Sequence, residues 1–258
     1  MMGRHDRNGR AGLLSVALCL AVVFPARSDT AAEGCREAYG DVENTILSCN
    51  VYIAKPSTRP VDRIRAYQIR GKAHLAAGHI EEALVDFTRA IDDMPDGRLK
   101  GYVRFLRGTV WFDHTPRTPD NLQRALIDLE AADLEAPGVP RILETLARAY
   151  IRAGNDDRAV RAGTLALEGD PKSMIARRMR ATALERRGDI EQARWDVDAL
   201  VVRRLPKDAD LKAWRGRLHE KLGAWPRALY DYREAAKIET TDELLAAIER
   251  MERRVKSR

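Results

Sequence analysis

Aromatic residues make up only 6% of this 258-residue chain, so large rings cannot dominate its core. No stretch shows a convincing alternation of apolar and polar residues with the period of two of a half-buried strand, which points to an all-α class. The apolar run Ala11–Phe24 is shorter than the roughly 20 residues a helix needs to cross a bilayer. The motifs G-x-S-x-G, H-E-x-x-H and C-x-x-C are absent, and so is a phosphate-binding glycine loop. An enzyme built on one of those sites is therefore excluded. Strong charge bias is missing too. The net charge is +6, and Arg4, Arg7, Arg10 and Arg27 against Asp6 account for half of it. What remains is too dilute for a nucleic-acid surface, which shows a concentrated basic patch. With 45% hydrophobic and 33% charged residues, the chain has enough apolar content to fold.

What is present begins with a leader. Basic residues 1–10, the short apolar run and Pro25-Ala26-Arg27-Ser28 have the layout of a secretory signal peptide over residues 1–28. An uncut membrane anchor is the alternative. Cys19 follows Leu18, a poor fit to lipoprotein processing, and no twin-arginine pair occurs. Cleavage would leave Cys35 and Cys49, an even pair that reads as a disulfide in an oxidising compartment. Two buried thiols are the alternative. Closing a loop of that size contributes about 3 kcal/mol. The N-terminal helical element then spans 29–62, with a turn at Tyr39-Gly40-Asp41.

Ile64–Gly97 organises the rest. Counted from Ile64 as position 1, Tyr67 holds position 4, Gly71 position 8, His74 position 11, Gly78 position 15, Ala83 position 20, Phe87 position 24, Ala90 position 27 and Pro95 position 32. Small residues let two antiparallel helices approach, while Tyr67 and Phe87 fill the space beside them. Gly78 ends the first helix and Pro95 the second. The spacing recurs over 101–138, 140–173, 174–207 and 209–242. The second copy carries an insertion at 113–121 that lengthens its turn, and Arg104 departs from the aromatic at position 4. In the third, Gly163 replaces the bulk at position 24, which predicts looser packing there. One such hairpin cannot bury its own apolar face; a stack can.

This pattern resembles the tetratricopeptide repeat family, in particular its exported bacterial members. The resemblance implies a right-handed α-solenoid of about five repeats over 63–242, with 243–258 as a capping helix. Leu244, Leu245, Ile248 and Met251 share one face of that helix. It further implies that positions 2, 5, 9, 12 and 13 of the first helices line a concave, partner-binding groove. Those positions hold nine basic and five acidic residues. The candidates put forward for partner contact are Arg65, Gln68, Lys72, Tyr102, Phe105, Thr109, Phe112, Arg141, Arg148 and Arg178. Tyr102, Phe105 and Phe112 would form an aromatic wall flanked by arginines, as interface hot spots do. The alternative is that Tyr102 and Phe105 are core residues and the register is off by one or two.

His74 and His219, both at position 11, read as core rings; His79 and His114 have no partner at ligand spacing. Asp92–Gly97 does not meet the ligand order of a calcium loop. The expectation is a non-catalytic scaffold with no cofactor and no metal, working in the periplasm or outside the cell. It would bind another protein or a peptide, an acidic one by charge, and not nucleic acid. Self-association stays open. A lesser reading is an envelope-assembly factor touching membrane through the basic C-terminal helix.

Overall fold

The computed structural model describes residues 30–35, 41–203 and 208–257, so the expected leader, Tyr39-Gly40 of the expected turn and Pro206 lie outside it. The described chain is all helix, turn and loop: α1 (Thr30–Gly34), α2 (Val42–Ala54), α3 (Pro60–Ala76), α4 (Ile80–Asp93), α5 (Arg98–Thr109), α6 (Pro119–Glu135), α7 (Pro140–Ala153), α8 (Asp156–Gly169), α9 (Met174–Arg187), α10 (Ile190–Arg203), α11 (Ala209–Lys221), α12 (Trp225–Ala236) and α13 (Asp242–Lys256). Consecutive helices pack antiparallel, each against its sequence neighbours, into a solenoid. The odd-numbered helices from α3 form one layer and the even-numbered ones from α2 the other.

Four hairpins turn on a left-handed glycine at position 15, with φ of 80° at Gly78, 75° at Gly154, 95° at Gly188 and 70° at Gly223. The second hairpin lacks one. There α5 runs on through a π-helical turn, Val110–His114, and Thr118 caps α6 by accepting from the Asn121 amide. The insertion expected wholly as loop is thus partly absorbed by the longer first helix. Inside each hairpin, position 8 meets position 24. A Cβ on Gly71 would lie 2.9 Å from the Phe87 ring, and one on Gly216 would lie 2.9 Å from the Tyr232 ring. Gly163 reverses the arrangement. A Cβ there would sit 2.9 Å from Cβ of Arg180 on α9, so the missing bulk admits the next helix. The expected loosening does not occur: α8 and α9 pack as closely as the two helices of one hairpin.

A polar clamp repeats beside this packing. Arg70, Arg107, Arg180 and Arg215 occupy position 7. Each forks an aspartate at position 23 of its own hairpin: Asp86, Asp128, Asp196 and Asp231, with Nη2–Oδ1 distances of 2.6, 2.7, 2.7 and 2.6 Å. The same guanidinium reaches the second helix of the preceding unit, at Asn50 (2.6 Å), Thr88 (2.9 Å), Thr164 (3.4 Å) and Asp198 (3.5 Å). The four aspartates are buried. Their forks hold the pKa of Arg70, Arg180 and Arg215 above the ordinary arginine value, against the cost of burial. The third hairpin has Leu146 and Ala162 at the paired positions instead.

At the N-terminal end Cys35 and Cys49 form a disulfide, buried against Ala66 of α3. At the other end α13 covers α12 through Leu244, Ala247 and Met251, beside Tyr232. Leu245 faces outward instead, 46% exposed.

Truncating one partner of a buried ion pair strands the other. Asp128→Ala should therefore cost about 3 kcal/mol in chemical denaturation. Adding Arg107→Leu, which copies the third hairpin, should recover most of that loss. A double variant as unstable as the single one would show that the fork is not what matters.

Candidate functional site in the groove of the first helices

Side chains join α3, α5, α7, α9, α11 and α13 into one continuous face. Lys72 Nζ lies 5.0 Å above the Tyr102 ring, linking α3 to α5. The Arg141 guanidinium lies 5.9 Å from the Phe105 ring, linking α5 to α7. Arg148 and Arg152 lie 4.9 and 3.6 Å from the Phe112 ring. Arg186 of α9 donates to the Ile151 carbonyl (2.7 Å), Lys221 of α11 to Glu185 (2.7 Å) and Arg250 of α13 to Glu220 (2.7 Å).

The ten candidates fall in three places. Lys72, Tyr102, Phe105, Thr109, Phe112, Arg141 and Arg148 come together over α3, α5 and α7. Arg65 sits at the N-terminal end, in a cleft of about 310 Å³ shared with Cys35 and Tyr52, and Gln68 is half-buried on α3. Arg178 lies at the far end. Of the aromatic wall only Tyr102, 39% exposed, is open to a partner. Phe105 and Phe112 belong to the core cluster around α6 and α7. Guanidinium groups cover their outer faces, so a partner meets arginines with rings beneath them. Thr109 turns its hydroxyl to the Phe105 carbonyl (2.7 Å).

Internal pairing decides which charges of this face stay open. Asp113 takes Arg148 (2.8 Å), Glu144 takes the Ser173 hydroxyl, Glu185 takes Lys221 and the Trp214 indole (2.5 Å), and Glu220 takes Arg250 and the Tyr232 hydroxyl (2.8 Å). The Arg250 bond holds the Glu220 carboxyl below the usual range, and burial with the Glu220 bond pushes the Tyr232 hydroxyl up. Of the five acids at the groove positions, only Asp210 keeps no ion pair or hydrogen bond among the described residues. Arg65, Lys72, Arg141, Arg152, Arg178 and Arg217 have no carboxylate within bridging distance there. Burial lowers the pKa of Arg152, as do the nearby Arg117 and Arg148, against the pull of Asp113.

At the far end α9, α11 and α13 enclose a cleft of about 640 Å³. Arg178, Thr182 and Arg217 line it together with Ala213 and Leu244, and Asp210, Glu239 and Glu243 also border it. The capping helix supplies one wall, in addition to covering the end of the stack. Its basic residues are largely engaged. Arg250 pairs with Glu220, Arg253 lies 3.8 Å from Glu249, and Arg254 stacks on Trp225 (5.6 Å). Among the described residues, no helix is long and apolar enough to cross a membrane.

Two features escaped the sequence reading. The arginine–aspartate fork recurs at a separation of 16 residues in three hairpins and 21 in the one with the insertion, a signal visible only after the repeats are aligned. The other is a histidine pair: His79 brings Nδ1 to 3.4 Å from Nδ1 of His74. No group of three or more metal-ligating side chains occurs among the described residues.

The fold is that of a helical-repeat solenoid of tetratricopeptide type. Residues 178–243 match the family model described as Tetratricopeptide repeat. A tetratricopeptide repeat protein from Parabacteroides merdae is 17% identical, covers 87% of this chain and 99% of its own, and superimposes with a TM-score of 0.61. The C-terminal part of a repeat protein from Cytophaga hutchinsonii is 14% identical over 86% of this chain and 89% of its own, with a TM-score of 0.67. YrrB, described as a tetratricopeptide protein with an unusual peptide-binding site, is 16% identical over 72% of this chain and 91% of its own, with a TM-score of 0.62. At these identities the likeness is one of fold. No curated protein sequence matches the chain.

Burial of His219 on α11 lowers its pKa, against the pull of Asp231 (3.7 Å) and Asp198 and with the push of Arg194 and Arg215. A depressed folded pKa favours the neutral ring. Stability is therefore intact above the unfolded value of about 6.5 and declines as pH falls below it. The denaturation midpoint should drop between about pH 7.5 and pH 5, and His219→Gln should reduce the drop. His74, depressed first by burial, supplies a further part. An unchanged pH slope in His219→Gln would exclude this role for His219.

Proposed function

We propose that the chain is a non-catalytic binding scaffold that takes an acidic, partly apolar protein segment along the face of its first helices. The observation that carries this reading is the charge left after internal pairing: among the described residues Arg65, Lys72, Arg141, Arg152, Arg178 and Arg217 have no carboxylate partner, against Asp210 and Glu144 as the groove acids without a cationic one. Desolvated guanidinium groups over aromatic rings are what carboxylates of a partner dock onto. Tyr102 and the apolar atoms of Ala213 and Leu244 offer contact for its apolar side chains. The peptide-binding site named for YrrB supports binding as the activity of this fold. The Cys35–Cys49 disulfide supports export, since such bonds persist in oxidising compartments. We therefore place the protein in the periplasm or outside the cell after loss of residues 1–28.

Fluorescence anisotropy with a glutamate-rich, leucine-containing peptide tests the reading, with a lysine-for-glutamate version as control. The acidic peptide should bind and weaken steeply with salt. The triple variant Arg141→Ala, Arg178→Ala, Arg217→Ala removes exposed groups and should fold normally. It should lose at least about tenfold in affinity, near 1.4 kcal/mol, while Arg89→Ala on the outer face of α4 changes nothing. Equal binding of both peptides, or equal loss in both variants, would refute the groove assignment.

A further inference from the structure

The second helices carry their own pattern on the opposite side. Position 22, next to the buried aspartate of each fork, points outward. It holds Val85, Ile127, Trp195 and Tyr230, which are 59, 55, 61 and 62% exposed. The middle hairpin breaks the row with Arg161, also exposed. Seven residues further on, the same helical face holds Leu134 on α6 and Val202 on α10, 83 and 82% exposed, but Glu168 on α8. The three helices are neighbours: Arg158 of α8 bonds Glu130 of α6 (2.8 Å), and Arg180 joins Thr164 of α8 to Asp196 of α10.

The resulting patch has an internal symmetry. Its centre is Leu165, 38% exposed, flanked along α8 by Arg161 and Glu168. Neither has an ion pair among the described residues. An apolar pair lies on each side, Ile127 with Leu134 and Trp195 with Val202. A two-fold axis through Leu165 sets α8 antiparallel to α8 of a second copy. Arg161 then faces Glu168, and Glu168 faces Arg161. Ile127 meets Leu134 of the second copy and Trp195 meets its Val202, because a two-fold that reverses α8 leaves α6 facing α6 and α10 facing α10. An isologous interface has this property: one patch complementary to itself under a two-fold rotation.

Size agrees with this occupant. The five apolar side chains expose on the order of 500 Å², toward the upper end of the roughly 300–600 Å² of the largest patch on a typical monomer, a size that often marks function. A standard interface buries about 800 Å² per partner, a little over half of it apolar. The patch therefore supplies the apolar share of one complete interface. We propose that this face is a dimer interface for a second copy of the chain, joined back to back through α6, α8 and α10. Both grooves then face away from the contact, so the interface operates independently of the groove reading.

Sedimentation velocity of the chain over rising concentration, up to about 100 μM, tests it. Wild type should dimerise. Arg161→Glu and Glu168→Arg each oppose like charges across the axis and should weaken the dimer at least tenfold. The double reversal restores both pairs and should return the dimer. Trp195→Asp should give monomer, with unchanged circular dichroism in all four variants. A wild type that stays monomeric overturns the proposal. So does a double reversal no better than the singles, or a dimer indifferent to Trp195→Asp. A monomer that co-sediments with anionic vesicles through Trp195 would assign the patch to lipid and equally overturn it.

Discussion

A guanidinium fork between helices sets the geometry of this solenoid. Apolar packing alone allows two helices to slide and rotate within the tolerance of ridges and grooves. A bidentate arginine–aspartate contact does not, because two parallel hydrogen bonds fix both distance and orientation. Arg107 ties α5 to α6 through Asp128 and to α4 through Thr88. One side chain therefore sets the angle within a hairpin and the angle to the hairpin before it. Four such clamps, repeated at one position, make the stacking uniform. A buried ion pair adds little net stability over an apolar pair, and the third hairpin shows that Leu146 with Ala162 can occupy the same place. The fork specifies register more than it adds free energy.

That distinction explains what could be read in advance. Gly71, Gly78, Ala83, Phe87 and Ala90 announce a helical hairpin because close packing tolerates few residue types at a crossing, and the same types recur. Arg70 and Asp86 look like ordinary surface charges until the hairpin is folded. Their pairing depends on three-dimensional proximity, for which helical periodicity carries no mark. The continuation of α5 as a π turn through Val-Trp-Phe-Asp-His is invisible for a similar reason. Gly163 was legible as a missing ring and illegible as a docking notch, since the group that enters it, Arg180, comes from the following hairpin.

The groove follows the same logic at the level of charge. Counting ionisable residues along the first helices gives a modest basic excess. Folding sharpens the ratio by pairing: Asp113, Glu185 and Glu220 each bind a basic side chain of the protein itself, which leaves Asp210 and Glu144 as the groove acids without a cationic partner among the described residues. What faces solvent is a set of cations whose counter-charges have been withdrawn. Phe105 and Phe112 contribute from below. Their ring faces hold Arg141, Arg148 and Arg152 in place by cation–π attraction, which reduces the ordering cost a partner would otherwise meet on binding.

The third hairpin departs from its neighbours in three ways at once. It lacks the fork, it carries glycine where others carry bulk, and it presents Arg161 and Glu168 where the adjacent helices are apolar. These departures are connected. Without an arginine at position 7 of α7, the join to α6 passes instead through Glu130, which accepts from the Tyr150 hydroxyl (2.9 Å) and from Arg158 (2.8 Å). Burial and the Glu130 bond push the Tyr150 hydroxyl up to about 12, so it remains a donor throughout the physiological range. On the other side Gly163 lets Arg180 close in and brings α9 tight against α8. The middle of the array is therefore clamped by different chemistry from its two halves, and its outer helix is released from the apolar row. A charged, self-complementary α8 between two apolar helices is the arrangement that lets one surface recognise its own copy in a single orientation, since any shift along the row would set Arg161 or Glu168 against an apolar side chain and leave it unpaired.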